Sequence, residues 1–313
     1  MKLRIGILLG DPNGIGPELA AKVLADEAMR ARADILVIGD HRVLDMGIVV
    51  AGLTPPYHKI DSITDAAFDG GIELLHQDSM APDTVTPGTA TPEGGRSVYL
   101  AIKQALKLGG SPFADEHILF AHELGFDGPC CEHNVRGDLW TVRVSSHIPV
   151  AEAASRVTEE RIIEVARLAN STLQSAGITA PRIGVCALNP HGGDGGMFGR
   201  EEIDIIAPAV AKIKAAGIDA DGPYPADTIF VKARDGAFDA VVTMYHDQGQ
   251  IAMKLMGFNK GVTVSGGLPV AIATPASGTA FDIVSKGVAD PEGMRQAFLL
   301  TCRMADARKN KAS

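Results

Sequence analysis

Basic residues are in short supply in this 313-residue chain: 29 Lys and Arg face 38 Asp and Glu, for a formal net charge of −9. That balance, with no Lys/Arg cluster, excludes the basic patch that a nucleic-acid-binding surface needs. Long apolar runs are missing too. No stretch reaches the roughly 20 residues of a membrane span. The opening MKLRIGILLGDP carries too short an apolar run, and no small-residue cleavage site, for a secretion signal; it reads as a first strand. Cysteine is scarce. Cys130 and Cys131 are adjacent, and Cys186 and Cys302 stand alone, which fits neither a CxxC metal knuckle nor a redox motif. The expectation is four reduced thiols in a cytoplasmic protein. Internal repeats and low-complexity linkers are also absent, so a domain boundary has to be made by chain crossovers rather than by a flexible hinge.

What is there suits a globular enzyme. The length allows one large or two medium domains. Strand-like runs at Arg4–Leu9, Ile35–Ile38, Val142–Ser145, Ile183–Leu188, Ala240–Met244 and Gly261–Val264 alternate with helical patterns at Pro17–Ala25, Glu93–Leu108, Thr158–Gln174, Glu201–Ala216 and Pro291–Ala305. Thr158 is a reasonable N-cap, with Glu159 and Glu160 in the first turn. The alternation predicts a layered α/β fold with a largely parallel sheet.

In such folds ligands collect at the carboxyl ends of strands, and the most loaded segments sit there. His147 in RVSSHIPV, His191 in LNPHGGDGG and His246 in MYHDQG each follow a strand-like run, where the strand should give way to a loop. Neutral imidazole is the commonest protein ligand for zinc-like ions, and three such ligands with an open fourth position would make a catalytic site. Four glycines around His191 and Asp194 cost entropy unless the backbone must approach a ligand. Asp247 is placed to orient an imidazole or a substrate. The segment GDPNGIGPE (10–18) is not a GxGxxG fingerprint. It reads equally as an anion-holding helix start and as a tight turn with Pro17 opening the helix.

Taken together, GDPNGIGPE (10–18), SSHIP (145–149), LNPHGGDGG (188–196) with FGREEID (198–204), DGPYPADT (221–228), MYHDQG (244–249) with Lys254, GLP (267–269) and GTAFDI (278–283) resemble the 4-hydroxythreonine-4-phosphate dehydrogenase family. The resemblance implies an isocitrate/isopropylmalate-dehydrogenase-like fold with two interleaved subdomains around a cleft, the second mainly about residues 110–265. It implies a homodimer with a shared active site, one of the three metal-binding histidines coming from the partner. His147, His191 and His246 match the metal ligands. The ion is zinc or cobalt, less favourably magnesium, because imidazole ligation suits softer ions. The cofactor is NAD or NADP, assigned to Gly192, Gly193, Gly195, Gly278 and Thr279. Lys254 matches a substrate lysine, and Asp247 and Asp227 are candidates for moving protons. The implied reaction is oxidation of a β-hydroxy acid followed by decarboxylation.

The chain also departs from that pattern. The family's His-Thr pair is replaced by Glu116-His117, an asparagine by Thr263, an arginine after GLP by Ile272 and a histidine by Ser277. Losing an arginine that forks onto an oxyanion is not conservative. These departures point to a related hydroxy acid, a sugar-acid phosphate or a diol carboxylate as substrate. A strand and a Pro-x-x-Lys loop also have no counterpart where SVYLAI runs into KQALKLGG: either the protein lacks them, and Lys103 is a surface lysine on a continuous helix, or a segment is missing from this sequence, and Lys103 is the retained lysine of that loop and a substrate contact. Two other readings are a metal-dependent lyase or hydrolase on the same scaffold and a non-catalytic metal-stabilised dimer.

Overall fold

The computed structural model describes residues 2–107, 120–122, 124–257 and 260–312. It divides into two compact units: the chain up to Asp127 with Ser277–Asp306, and Gly128–Ala276 with the residues from Ala307 on. No helix among the described residues is long and apolar enough to cross a membrane.

The first unit holds a parallel sheet in the order β1-β2-β4-β3, from β1 (Leu3–Leu8), β2 (Ala33–Gly39), β3 (His58–Ile60) and β4 (Ile72–His76). Every residue of β2 is buried, as a central parallel strand covered on both faces requires. Around it lie α1 (Gly16–Ala25), α2 (Glu27–Arg32), α3 (His41–Ala51) and α4 (Pro92–Lys107). Asp26 and Asp40 cap α2 and α3 through their carboxylates. Gly47 lets α3 press on α1, since a Cβ there would sit 2.2 Å from the carbonyl oxygen of Pro17. The GDPNG loop is built from inside. Asn13 is fully buried, accepts from the Thr86 N–H at 2.7 Å and donates to Thr91 Oγ1 at 2.9 Å.

The second unit carries a seven-stranded mixed sheet in the order β11-β10-β5-β6-β9-β7-β8. Its strands are β5 (Cys131–Arg136), β6 (Leu139–Arg143), β7 (Ile183–Cys186), β8 (Ala220–Tyr224), β9 (Ala240–Thr243), β10 (Val262–Gly266) and β11 (Ala273–Pro275). The pairs β6–β9, β9–β7 and β7–β8 are parallel; β10–β11, β10–β5 and β5–β6 are antiparallel. The expected layered α/β fold is present, and "largely parallel" holds for the first unit only. The antiparallel half starts at the two-residue turn Gly137-Asp138, where Gly137 has φ 59°. Its helices are α5 (Val150–Arg156), α6 (Glu159–Ser175), α7 (Ala207–Ala215), α8 (Ala226–Arg234) and α9 (His246–Leu255); α10 (Glu292–Ala312) belongs as far as Asp306 to the first unit. In α6 the buried Ile162, Val165, Ala169 and Leu173 form the apolar stripe, and Thr158 caps it by accepting from the Arg161 N–H.

His133 on β5 is fully buried beside Trp140, with ring centroids 6.2 Å apart. Burial, seconded by the Arg143 charge, pushes its pKa down to about 4. An unfolded histidine titrates near 6.5, so below that value the unfolded chain binds the extra proton first. The stabilisation by neutral His133 is complete above about pH 6.5 and is lost as pH falls through 4, a swing of about 3 kcal/mol. Urea midpoints of the protein and of His133→Gln, followed from pH 7 to 4, should therefore converge as pH falls. Parallel curves would refute the assignment.

Candidate active site

The three histidines leave the same end of the second sheet. β9 lies between β6 and β7, parallel to both. The chain beyond β6 leads to His147, beyond β9 to His246 and beyond β7 to His191. The strands are zipped past their ends: Val144 N–H donates to the Thr243 carbonyl at 2.9 Å, and Ser145 Oγ donates to the Met244 carbonyl at 2.9 Å. The His147 and His246 rings have centroids 5.6 Å apart. His246 does not sit in a loop, as expected, but opens α9. The polar run YHDQG looks like a turn, yet Gln248 turns inward. Its Nε2 donates to the Ala187 carbonyl and its Oε1 accepts from the Met244 N–H, both at 2.8 Å. Gln248 thereby ties the start of α9 to the segment that leads to His191.

Asp247 Oδ1 accepts from His246 Nδ1 at 2.6 Å. A neutral imidazole that donates through Nδ1 keeps its lone pair on Nε2, the form that binds a metal. His191 lies in a left-handed turn: His191, Gly192, Gly193, Asp194 and Gly195 all have positive φ, between 44° and 79°. His147 is left-handed as well, at φ 34°. Such conformations cost L-residues roughly 1–2 kcal/mol each and persist where the surroundings over-determine them, commonly at functional sites.

Glu202, 3% exposed, supplies that support at His191. Its Oε1 accepts from the backbone N–H groups of Leu188 and Asn189, both at 2.8 Å, and its Oε2 from Asn189 Nδ2 at 3.0 Å. Burial alone would raise its pKa, but these donors outweigh it and hold the carboxyl below its usual range. A Cβ on Gly193 would meet Glu202 Oε2 at 2.7 Å and the Gly199 carbonyl oxygen at 3.0 Å. Gly193→Ala should cost roughly 2–3 kcal/mol of stability. It should also lower kcat/KM by about tenfold or more through displacement of His191. Urea unfolding and steady-state rates on one preparation check both, and an unchanged variant would remove the turn from the account.

The three histidines are not closed into one ligand set within this chain. Among the described residues, the single group of three or more ligand-type side chains whose atoms lie within 4.8 Å of one another is Asp40, His41 and His76, in the first unit. Asp40 already has other work there. It caps α3, and its oxygens accept from Arg42 Nη2 at 2.6 Å, from Arg42 Nε at 2.9 Å and from the backbone of Ser79 and Met80.

Beside His246, a cavity of about 150 Å³ runs along α9, lined by Glu132, Asn134, Arg136, Gln250, Lys254 and Thr263 among others. Its wall is a polar network that sequence reasoning missed. Arg143, 5% exposed, donates to Glu132 Oε2 and to Asn134 Oδ1. Gln250 Nε2 donates to the same Asn134 oxygen at 2.6 Å, and Asn134 Nδ2 donates to Thr263 Oγ1 at 3.2 Å. Of the expected substrate residues, Lys254 and Thr263 thus line one cavity with His246. Asp227 is exposed on the first turn of α8. Lys103 lies not in a loop but within the continuous helix α4, its Nζ 5.7 Å from the centre of the Tyr99 ring. Glu116 and His117 lie outside the described residues. The residues expected to bind the nicotinamide cofactor fall into both units: Gly192, Gly193 and Gly195 in the left-handed turn, and Gly278 and Thr279 against the GDPNG loop. There Ile15 N–H donates to the Thr279 carbonyl at 3.1 Å.

Residues 101–301 match the family model of the pyridoxal phosphate biosynthetic protein PdxA. A protein of Pseudomonas aeruginosa is 50% identical over 325 aligned residues, covering 96% of this chain and 96% of its own. That aligned length exceeds the 313 residues here, so the relative carries residues for which this chain has no counterpart. D-threonate 4-phosphate dehydrogenase of Cupriavidus necator is 35% identical over 97% of this chain and 98% of its own. The crystal structure of 4-hydroxythreonine-4-phosphate dehydrogenase from Klebsiella pneumoniae superposes with a TM-score of 0.80 at 32% identity, over 97% of this chain and 98% of that one. The chain therefore belongs to the PdxA family and is, with it, a nicotinamide-dependent oxidoreductase acting on a CH–OH group.

Proposed function

We propose that this enzyme is a metal-dependent, NAD(P)-linked dehydrogenase that oxidises a small β-hydroxy acid, with subsequent decarboxylation. The observation that carries the reading is the emergence of His147, His246 and His191 from three adjacent parallel strands at one sheet end. The donor set fits a zinc-like ion. All three are imidazoles, His246 is held by Asp247 with Nε2 left for a ligand, and two of the rings already lie side by side. When bound, the ion would acidify the alcohol and polarise the ketone formed from it, and NAD or NADP would accept the hydride. The chain's own residues do the rest. Lys254 pairs with an anionic group of the substrate, Asp247 sets the tautomer of His246, and Asp247 and Asp227 are the proton carriers.

A homodimer with a shared site belongs to the same reading. His191 does not join the other two in one protomer, and exposed apolar side chains follow each histidine: Val150 at 71% exposure, Met197 at 75% and Leu255 at 83%. Such exposed apolar surface commonly marks an interface. The proposed setting is the cytoplasm. The substrate class follows from the relatives' names and from the departures at Thr263 and Ile272: a hydroxy acid of a few carbons with an anionic tail, such as 4-phosphohydroxythreonine, a sugar-acid phosphate or a diol carboxylate. The test is NADH formation with such a panel in the presence of zinc, cobalt or magnesium. Turnover of one member with release of carbon dioxide is the expected result. NADH formation without carbon dioxide would remove the decarboxylation.

A further inference from the structure

We propose that His41 and His76 form a metal site in the first unit, apart from the three histidines of the second, and that it takes a borderline divalent ion such as zinc or copper. The ion would tie the ends of β2 and β4 together. The inference does not rest on the dehydrogenase reading.

The strands bring the two rings together. β2 and β4 are adjacent and parallel, with Gly39 opposite His76, and the Gln77 N–H donates to the Gly39 carbonyl at 2.9 Å. His76 ends β4, and His41 opens α3 two residues after Gly39. Both imidazoles thus stand at the carboxyl end of the sheet, where ligands of α/β folds collect. Their Nδ1 atoms are 3.3 Å apart, with ring centroids at 4.6 Å and planes at 80°. That separation is long for a hydrogen bond, and the His41 backbone N–H reaches His76 Nδ1 only at 3.5 Å. Two imidazole nitrogens held at about 2.0–2.1 Å by one tetrahedral ion stand roughly 3.3–3.4 Å from each other. The pair therefore already spans one edge of such a site. Asp40 is the third member of the group: its Oδ1 lies 3.8 Å from His41 Nδ1, and its side chain is fully buried. Arg42 and the backbone N–H groups of Ser79 and Met80 occupy its oxygens. Asp40 therefore supplies fixed negative charge beside the ion, and water completes the ion's shell. Arg42 does not exclude a cation, because it pairs with both Asp40 and Asp78, and the three together leave one negative charge next to the rings. Lys59 pairs with Asp61. The His41 side chain is 29% exposed, so an ion enters without opening the core. Two imidazoles select zinc, nickel or copper over magnesium or calcium.

The test is zinc binding to the chelator-stripped full chain, by equilibrium dialysis and elemental analysis. It compares the parent, His76→Gln, His191→Ala and the double variant His76→Gln/His191→Ala. The proposed three-histidine site has more ligands and fills first; the His41–His76 pair takes a further ion at higher free zinc. His76→Gln should lose this weaker step and keep the tighter one. His191→Ala should keep the weaker step, and the double variant should lose it. Zinc should also raise the thermal midpoint of His191→Ala by about 2–5 °C, magnesium should not, and the double variant should show no shift. Equal zinc binding by His191→Ala and the double variant, or no binding by His191→Ala, would overturn the site. Circular dichroism checks each fold, and His41→Gln replaces His76→Gln in the same comparison if the latter does not fold. The catalytic reading fails separately: parent and His191→Ala would then bind zinc alike, while the loss in the double variant would stand.

Discussion

His191→Ala should abolish turnover while leaving the fold intact. His191 is exposed, and its ring touches little beyond Phe198, with centroids 6.2 Å apart. Its removal leaves no core cavity, and its left-handed φ of 54° costs alanine about what it costs histidine. Stability should therefore stay within about 1 kcal/mol of the parent. Activity should behave differently. On the proposed reading, the loss of one of three imidazoles would remove transition-state stabilisation of several kcal/mol, so kcat/KM should fall about a thousandfold or more. The metal retained after dialysis should fall with it. Elemental analysis beside steady-state rates separates this from a loop effect: a variant that keeps its metal and loses its rate would place His191 outside the ligand set.

Arg143→Leu should be the most destabilising single change among the site residues. The guanidinium donates to Glu132, Asn134 and Ser146 and is 5% exposed. Its loss leaves the Glu132 carboxylate, among the described residues, with Asn134 Nδ2 alone at 3.2 Å and breaks a largely buried ion pair, at a cost of about 3–5 kcal/mol. Removing both charges together should be far milder, because replacing a buried pair by apolar groups is often close to neutral. The double-mutant cycle with Glu132→Leu, read by urea unfolding, should show strong coupling between the two sites. Additive losses would mean that the pair is not energetically linked.

Why the sequence revealed the histidines and not the network around them is a matter of range. His147, His191 and His246 each follow an apolar run, and the buried strands β6, β7 and β9 have such runs because both faces are covered. β5 escapes the same reasoning. Its residues CEHNVR contain no apolar run, yet His133, Asn134 and Val135 are buried. They can be buried because Arg143, Gln250 and Thr263 arrive from three other elements to satisfy Asn134 and Glu132. No local period encodes partners contributed by a neighbouring strand and a helix more than a hundred residues away. α9 was hidden for a related reason: its first turn is polar and includes Gly249, a weak helix former, and its position depends on the long-range hold of Gln248. In the first unit β2 was legible as an unbroken apolar run, whereas β3 is three residues long, two of them exposed, and carries almost no signal.

The central claim is that the three histidines of adjacent parallel strands hold the ion on which NAD(P)-linked oxidation depends. The most direct measurement is NADH formation by chelator-stripped protein, titrated with zinc or cobalt on the hydroxy acid that the intact enzyme turns over. The account predicts no rate without metal and full recovery near one ion per protomer, with no recovery in His147→Ala, His191→Ala or His246→Ala at the same concentration. A stripped enzyme that keeps its full rate, or a histidine variant that recovers it, would contradict the claim.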